Sequence, residues 1–280
     1  MRGILIMNKR TVFFLSDRTG ITVEMLGHSL LTQFEGFEFE QTMLPFIETK
    51  QKALRAVEKI NKAAINDGAR PILFCTLISD DIREIIATSH GLMFDFFETF
   101  INPLEQELES HSTHAIGRSH GIGGYSNYKT RIDAVNFALG NDDGTTLNNY
   151  PEADVILIGV SRSGKTPTCL YLALQYGIYA ANYPITEDDL DEPGLPRSLR
   201  PFKGKLFGLT ISPERLHNIR NERMRDSRYS SIGQCQYEVR AVEGMYRGEH
   251  VPFLDTSAVS IEEIATTVLH KTKLTRRLYG

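Results

Sequence analysis

Lys165 and Thr166 close the run Gly159-Val160-Ser161-Arg162-Ser163-Gly164-Lys165-Thr166. This is the pattern G-x-x-x-x-G-K-[ST], and its residue types suit one task, the cradling of a polyphosphate. A polyphosphate needs many backbone N–H donors converging on it, and Gly159 and Gly164 let the chain curl close with no Cβ atoms in the way. Lys165 then reaches the terminal phosphates as a point charge, while the Thr166 hydroxyl holds a Mg2+ ion shared with them. The competing reading is a glycine-rich strand-to-helix turn that binds nothing.

Other residues offer chemistry with less specific spacing. Arg215, Arg220, Arg223 and Arg225 follow Ser212-Pro213-Glu214, a helix start in good capping order, and Arg228 lies just beyond. Arg220 has no carboxylate three or four residues away, so its own helix does not neutralise it. A strand, an arginine-bearing helix and an Arg/Ser segment form the order in which phosphate-loop kinases present a lid whose arginines stabilise the transferring group. A solvated basic face is the alternative. Asn141-Asp142-Asp143-Gly144 offers a metal contact or a base for a hydroxyl proton, or else the solvated acids of an Asp-Gly turn. Asp188, Asp189 and Asp191 are second candidates for magnesium in what reads as a solvated acidic loop. Near the start, Ser16-Asp17-Arg18-Thr19-Gly20 is either the edge of an anion site or a polar helix cap, and Arg18 and Asp17 are close enough for a local ion pair. Gly117 to Gly124 crowd around Arg118, Ser119 and His120, as either a closing loop or a connector.

The elements that must position these residues alternate. Val155 to Ile158 is a β-branched apolar run suited to a buried parallel strand, and Cys169, Leu170, Leu172, Ala173 and Tyr176 then recur at helical spacing until Gly177. Pro167 falls in the first turn, where no amide partner is lost. Tyr179–Tyr183, Leu206–Ile211 and Val251–Leu254 read as further strands, and Ser260 with Glu263 boxes a closing helix striped by Ile261, Ile264, Ala265, Val268 and Leu269. In the first half, strands are expected at Val12–Leu15, around Phe37 to Met43, at Ile72–Ile78 and at Leu92–Phe97. Helices are expected at Thr22–Phe34, at Lys50–Asn66 with Leu54, Val57 and Ile60 inward, after Ser79 or Asp80, and from Pro103. Tyr128–Leu139 reads as a helix with Ile132, Val135 and Leu139 on one face. The expected fold is α/β: an N-terminal parallel-sheet domain over residues 1–150 and a C-terminal P-loop kinase-like domain over residues 151–280, divided at the turn Asn148–Glu152.

Composition narrows the function classes. The chain has 280 residues, 41% hydrophobic and 24% charged, with a formal net charge of -4, which points to neither a nucleic-acid binder nor a membrane-surface protein. Cys75, Cys169 and Cys235 are odd in number and lack metal-ligand spacing, so free buried thiols in a reducing cytoplasm are expected. Ile4 to Met7 is too short for a signal-peptide core, and Met7 is itself a plausible start. A homodimer is compatible with all of this.

The string GVSRSGKTPTCLYLALQYGIYAANYP, with SDRTGIT near the start, NDDG at Asn141–Gly144 and KLFGLTISPERL at Lys205–Leu216, resembles the phosphoenolpyruvate synthase regulatory protein family. Its plant relatives act on pyruvate, phosphate dikinase. The likeness runs from Thr11 to Tyr279, and the ordered set of motifs is more specific than the phosphate loop alone. It implies a bifunctional serine/threonine kinase and phosphorylase. Such proteins use ADP rather than ATP to phosphorylate a threonine near the catalytic histidine of phosphoenolpyruvate synthase, which inactivates it. They remove that phosphate with inorganic phosphate, releasing pyrophosphate. The resemblance assigns the nucleotide to Gly159 through Thr166, and the charge that phosphoryl transfer would gather at that loop makes Lys165 the first catalytic candidate. Arg220 and Arg223 follow as charge stabilisers, and Asp143 as base through its place in NDDG. Arg18 stands where the family more often has a small residue, away from the nucleotide site. A P-loop small-molecule kinase and a non-catalytic nucleotide sensor are the alternatives.

Overall fold

Apolar runs separated by amphipathic stretches fold here as two parallel sheets, each dressed with helices. In this computed structural model, which describes residues 8–112, 124–144, 147–191, 194–225, 227–275 and 277, the chain divides into two units, Met1–Gly121 and Ile122–Gly280.

The first unit runs β1 (Asn8–Ser16), α1 (Ile21–Leu31), β2 (Phe37–Leu44), α2 (Lys50–Asp67), β3 (Ile72–Thr76), α3 (Asp80–Ala87), β4 (Leu92–Asp95) and α4 (Phe96–Glu107). Its strands lie in the order β2-β1-β3-β4, all parallel. Val12 and Phe14 pack on one face with Val23, Phe74 and Phe96, while Phe13 and Leu15 pack on the other with Ile60, Cys75 and Ile86. Burial on both faces is why β1 reads as an unbroken apolar run. Two expectations shift. The stretch Leu92–Phe97 is not all strand: Asp95 Oδ1 accepts the Glu98 N–H at 2.9 Å, so α4 starts at Phe96 and Pro103 lies inside it. On α2 the buried residues are Ala53, Ala56 and Ile60, whereas Leu54 is exposed.

The second unit runs α5 (Gly124–Gly140), β5 (Val155–Gly159), α6 (Lys165–Tyr176), β6 (Ala180–Pro184), α7 (Glu187–Leu190), β7 (Leu206–Thr210), α8 (Pro213–Arg223), α9 (Ile232–Gly248), β8 (Phe253–Asp255) and α10 (Ile261–Thr272). The sheet order is β6-β5-β7-β8, again all parallel. Helix α5 belongs to this unit, so the expected boundary at Asn148–Glu152 falls inside it. The reason is packing: Ala134 and Ala138 bury in one cluster with Leu172 and Ala173 of α6, and Phe137 stacks on Tyr179 at 4.9 Å. The expected apolar face fails with it, since Ile132 and Leu139 are exposed. The acidic run that reads as loop begins as α7. Helix α9 had no clear sequence signal, yet it buries Cys235, Val239, Val242 and Tyr246 in one core with Ile158 and Ile211.

In both sheets the first strand is internal: the connection after it runs to one side of the sheet, and the next crosses back to the other side. In parallel sheets, ligands gather at the carboxyl ends of the strands beside such a reversal. In the second unit that place belongs to the loop after β5. Among the described residues no helix is long and apolar enough to cross a membrane. Cys75, Cys169 and Cys235 are free and buried.

Candidate functional site

Strand β5 is buried along its whole length and delivers the chain to Gly159. A Cβ there would run into the backbone carbonyl oxygen of Leu209 on β7, so only glycine lets the two strands approach. Two residues of the loop then take the left-handed conformation, Arg162 at φ 76° and Gly164 at φ 92°. Gly164 does so freely, whereas a non-glycine residue there costs ~1 kcal/mol. Gly164 is also the N-cap of α6, and having no side chain it leaves the first-turn amides of α6 uncapped at the positive end of the helix.

Lys165 is only 5% exposed, and its Nζ donates to the Val160 carbonyl at 3.0 Å, so the ammonium lies folded across the loop. Burial pushes its pKa down to about 8, against the upward pull of the Asp143 and Asp142 carboxylates. One residue on, the Thr166 hydroxyl donates to Asp142 Oδ1 at 2.8 Å. Asn182 of β6, 1% exposed, completes this corner. Its Nδ2 donates to Asp142 Oδ1 and, at 3.2 Å, to Thr166 Oγ1, while its Oδ1 accepts the Asp143 N–H at 3.2 Å. The Asn182 N–H meets the Asn141 carbonyl at 3.2 Å. A single buried amide thus pins the turn Asn141–Gly144 to the mouth of α6. A hydroxyl beside a carboxylate is a donor set that suits Mg2+, which takes one or two protein oxygens and fills its other positions with water and phosphate. Among the described residues no cluster of three or more acidic, His or Cys side chains could hold a metal alone.

The loop is backed by Arg220, 1% exposed. Its two terminal nitrogens reach Glu238 of α9 at 3.1 and 2.7 Å, the Tyr229 carbonyl at 3.1 Å and the Ser161 carbonyl at 3.2 Å. The guanidinium lies 4.2 Å from the centre of the Tyr229 ring, and the Tyr229 hydroxyl is 2.9 Å from Ser161 Oγ.

The kinase/pyrophosphorylase family model matches residues 12–269. The chain belongs to the kinase/pyrophosphorylase family. A relative in Marinobacter nauticus is 58% identical over 268 residues, 96% of this chain and 99% of the relative. Relatives in Alkalilimnicola ehrlichii and Pseudomonas aeruginosa are each 55% identical, over 97% and 96% of this chain and 98% of their own. All three bear the provisional name phosphoenolpyruvate synthase regulatory protein.

In this member of the kinase/pyrophosphorylase family the expected residues separate into two groups. Gly159 to Thr166, Asp142 and Asp143 come together at one helix mouth, with Asp142 rather than Asp143 on the Thr166 hydroxyl. Arg220 is buried behind the loop and Arg223 is exposed at the end of α8, so the two arginines do not share a setting. Asp189 accepts from the Tyr183 hydroxyl at 3.0 Å and from Thr186, which shapes α7. Arg228 pairs with Glu187 at 3.1 Å. In the first unit, Ser16 Oγ accepts the Arg18 N–H at 3.2 Å and Asp17 accepts the Ile78 N–H at 3.3 Å, tying β1 to the end of β3. Neither caps α1, whose N-cap is Gly20, and Arg18 pairs with Glu48 rather than Asp17. Residues 113–123, with Arg118, Ser119 and His120, lie outside the described residues. Sequence reasoning missed Asn182, Tyr229 and Glu238. Only Asn182 carried a signal, a lone amide inside an apolar strand.

Proposed function

We propose that the glycine loop of the second unit binds ADP and that its β-phosphoryl group passes to a threonine hydroxyl of phosphoenolpyruvate synthase, near the catalytic histidine, inactivating that enzyme. The threonine oxygen bonds to the β-phosphorus as the bridging P–O bond breaks, its proton goes to a carboxylate, and AMP leaves. In the opposite direction an oxygen of inorganic phosphate attacks the phosphothreonine phosphorus. The threonine oxygen departs and regains a proton, and pyrophosphate is released. One loop serves both directions, because inorganic phosphate takes the place that the AMP phosphate vacates.

The observation that carries this reading is the convergence at the mouth of α6 of Gly164, Lys165 and the Thr166–Asp142 pair, in a chain of the kinase/pyrophosphorylase family. Lys165 swings from the Val160 carbonyl onto the phosphates. Thr166 and Asp142 hold Mg2+, which when bound offsets charge on the phosphate oxygens. Asp143, beside Asp142 in the Asn141–Gly144 turn at the mouth of α6, is the base. Arg223, exposed at the end of α8, meets the transferring group. The names of the relatives support the target, and three free buried thiols support a cytoplasmic setting.

The test is to incubate the protein with phosphoenolpyruvate synthase and Mg2+ plus ADP or ATP, and to read threonine phosphorylation by mass spectrometry. Modification with ADP is expected, and subsequent phosphate should remove it with release of pyrophosphate. No modification with ADP refutes the reading, and modification with ATP alone removes the unusual donor. Inhibition without gain of mass favours a nucleotide sensor instead.

A further inference from the structure

The buried Arg220 is held by a carboxylate of a different helix and also donates to the Ser161 carbonyl of the loop and to the Tyr229 carbonyl, which gives that carboxylate a task at a distance. Peptide units are planar and trans, so a carbonyl and the N–H of the next residue point to opposite sides. Arg220 Nη2 donates to the Ser161 carbonyl at 3.2 Å, which turns the Arg162 N–H away from the guanidinium. Arg162 is the one non-glycine residue of the loop in the left-handed conformation, so this peptide is the part of the loop that most needs an outside hold. Ser161 is fixed from its other end as well, because its hydroxyl meets that of Tyr229, whose ring lies 4.2 Å from the same guanidinium. Glu238 keeps the fork in place through both of its oxygens, and Gln234 of α9 donates to Glu238 Oε1 at 3.0 Å.

The geometry points to Glu238 as a positioning residue for the nucleotide. Acting through Arg220, it holds the Ser161–Arg162 peptide with the carbonyl outward, so that the Arg162 N–H joins the donors facing the diphosphate. Arg220 is then a positioning residue too, behind the loop, while Arg223 remains for the transferring group. This inference rests on the nucleotide reading of the loop.

The experiment measures ADP–Mg2+ binding by calorimetry and apo melting temperature for wild type, E238Q and the double variant R220M/E238L. A buried ion pair replaced by apolar side chains of similar volume generally keeps its stability, so the double variant should melt near wild type. It should nevertheless bind ADP–Mg2+ about tenfold more weakly or worse, as expected for the loss of one charge-assisted hydrogen bond. E238Q keeps one of the two oxygen acceptors of the fork and should lose less affinity than the double variant. The inference is overturned if the double variant binds within about twofold of wild type. It is also overturned if both variants lose affinity only as far as their melting temperatures fall, since the pair is then a core ion pair and nothing more. A wild type that takes up no ADP at all overturns the nucleotide reading itself, and this inference with it.

Discussion

Replacing Lys165 by methionine should make the ligand-free protein more stable at neutral pH while abolishing ADP binding. Lys165 is 5% exposed, and burial pushes its pKa from the ordinary 10.5 down to about 8. At pH 7 the folded and unfolded chains both carry the proton, so the folded state bears the full cost of burying the charge. Between about pH 8 and 10.5 the folded side chain gives up its proton while the unfolded one keeps it, so wild-type stability rises through that window. The gap corresponds to ~3 kcal/mol. Lys165→Met has no group to titrate. It does leave the Val160 carbonyl without its donor, a loss of about 1 kcal/mol. The variant should therefore exceed wild type by ~2 kcal/mol at pH 7, and most of that advantage should be gone by pH 9.5, because wild type gains ~2 kcal/mol over the interval. Paired urea unfolding of both proteins at the two pH values measures this, and the subtraction removes the titrating groups that do not act on Lys165. A difference that does not move with pH, or a variant less stable than wild type at pH 7, would refute the claim that the site stores an unfavourable buried charge.

The Thr166 corner makes a second prediction. Asp142→Asn and Asn182→Ala should each weaken ADP binding about tenfold or more when Mg2+ is present and much less in EDTA. Equal losses in both conditions would mean that these residues only support the fold. The two loop glycines should also differ. Gly164→Ala faces a left-handed backbone but open space, with its nearest neighbour at 4.0 Å, and should cost about 1 kcal/mol. Gly159→Ala collides with the Leu209 carbonyl and should cost ~3 kcal/mol or more. Denaturant unfolding that ranks them equally would remove the argument for close approach of β5 and β7.

The parts of the site that were legible in the sequence are those whose chemistry is local. Gly159 to Thr166 stands out because its eight residues are consecutive, and the strand before it and the helix after it show their periods plainly. Asp142 and Asp143 were visible as a pair, but which of them meets Thr166 depends on Asn182, brought in by β6. Arg220 stood out as unneutralised on its own helix. Its partner, Glu238, arrives from α9, whose apolar residues are diluted by Gln, Glu, Arg and Gly until no stripe is evident. The domain boundary was misplaced for a similar reason. The turn at Asn148–Glu152 is a true local break, and only the burial of Ala134 and Ala138 shows that α5 belongs with β5 and α6 in the second unit.

The strand order has a bearing on how the chain is made. Among the described residues, the four strands of the first sheet lie between Asn8 and Asp95 and the four of the second between Val155 and Asp255, and neither sheet borrows a strand from the other. During synthesis the first sheet has everything it needs before the glycine loop leaves the ribosome. Within each sheet, however, the strand translated first is internal, and both its edges stay bare until a crossover has been completed on either side. The nascent Val12–Leu15 and Val155–Ile158 segments are therefore where chaperone engagement would matter most, and the glycine loop inherits that dependence because it is the direct continuation of the second of them.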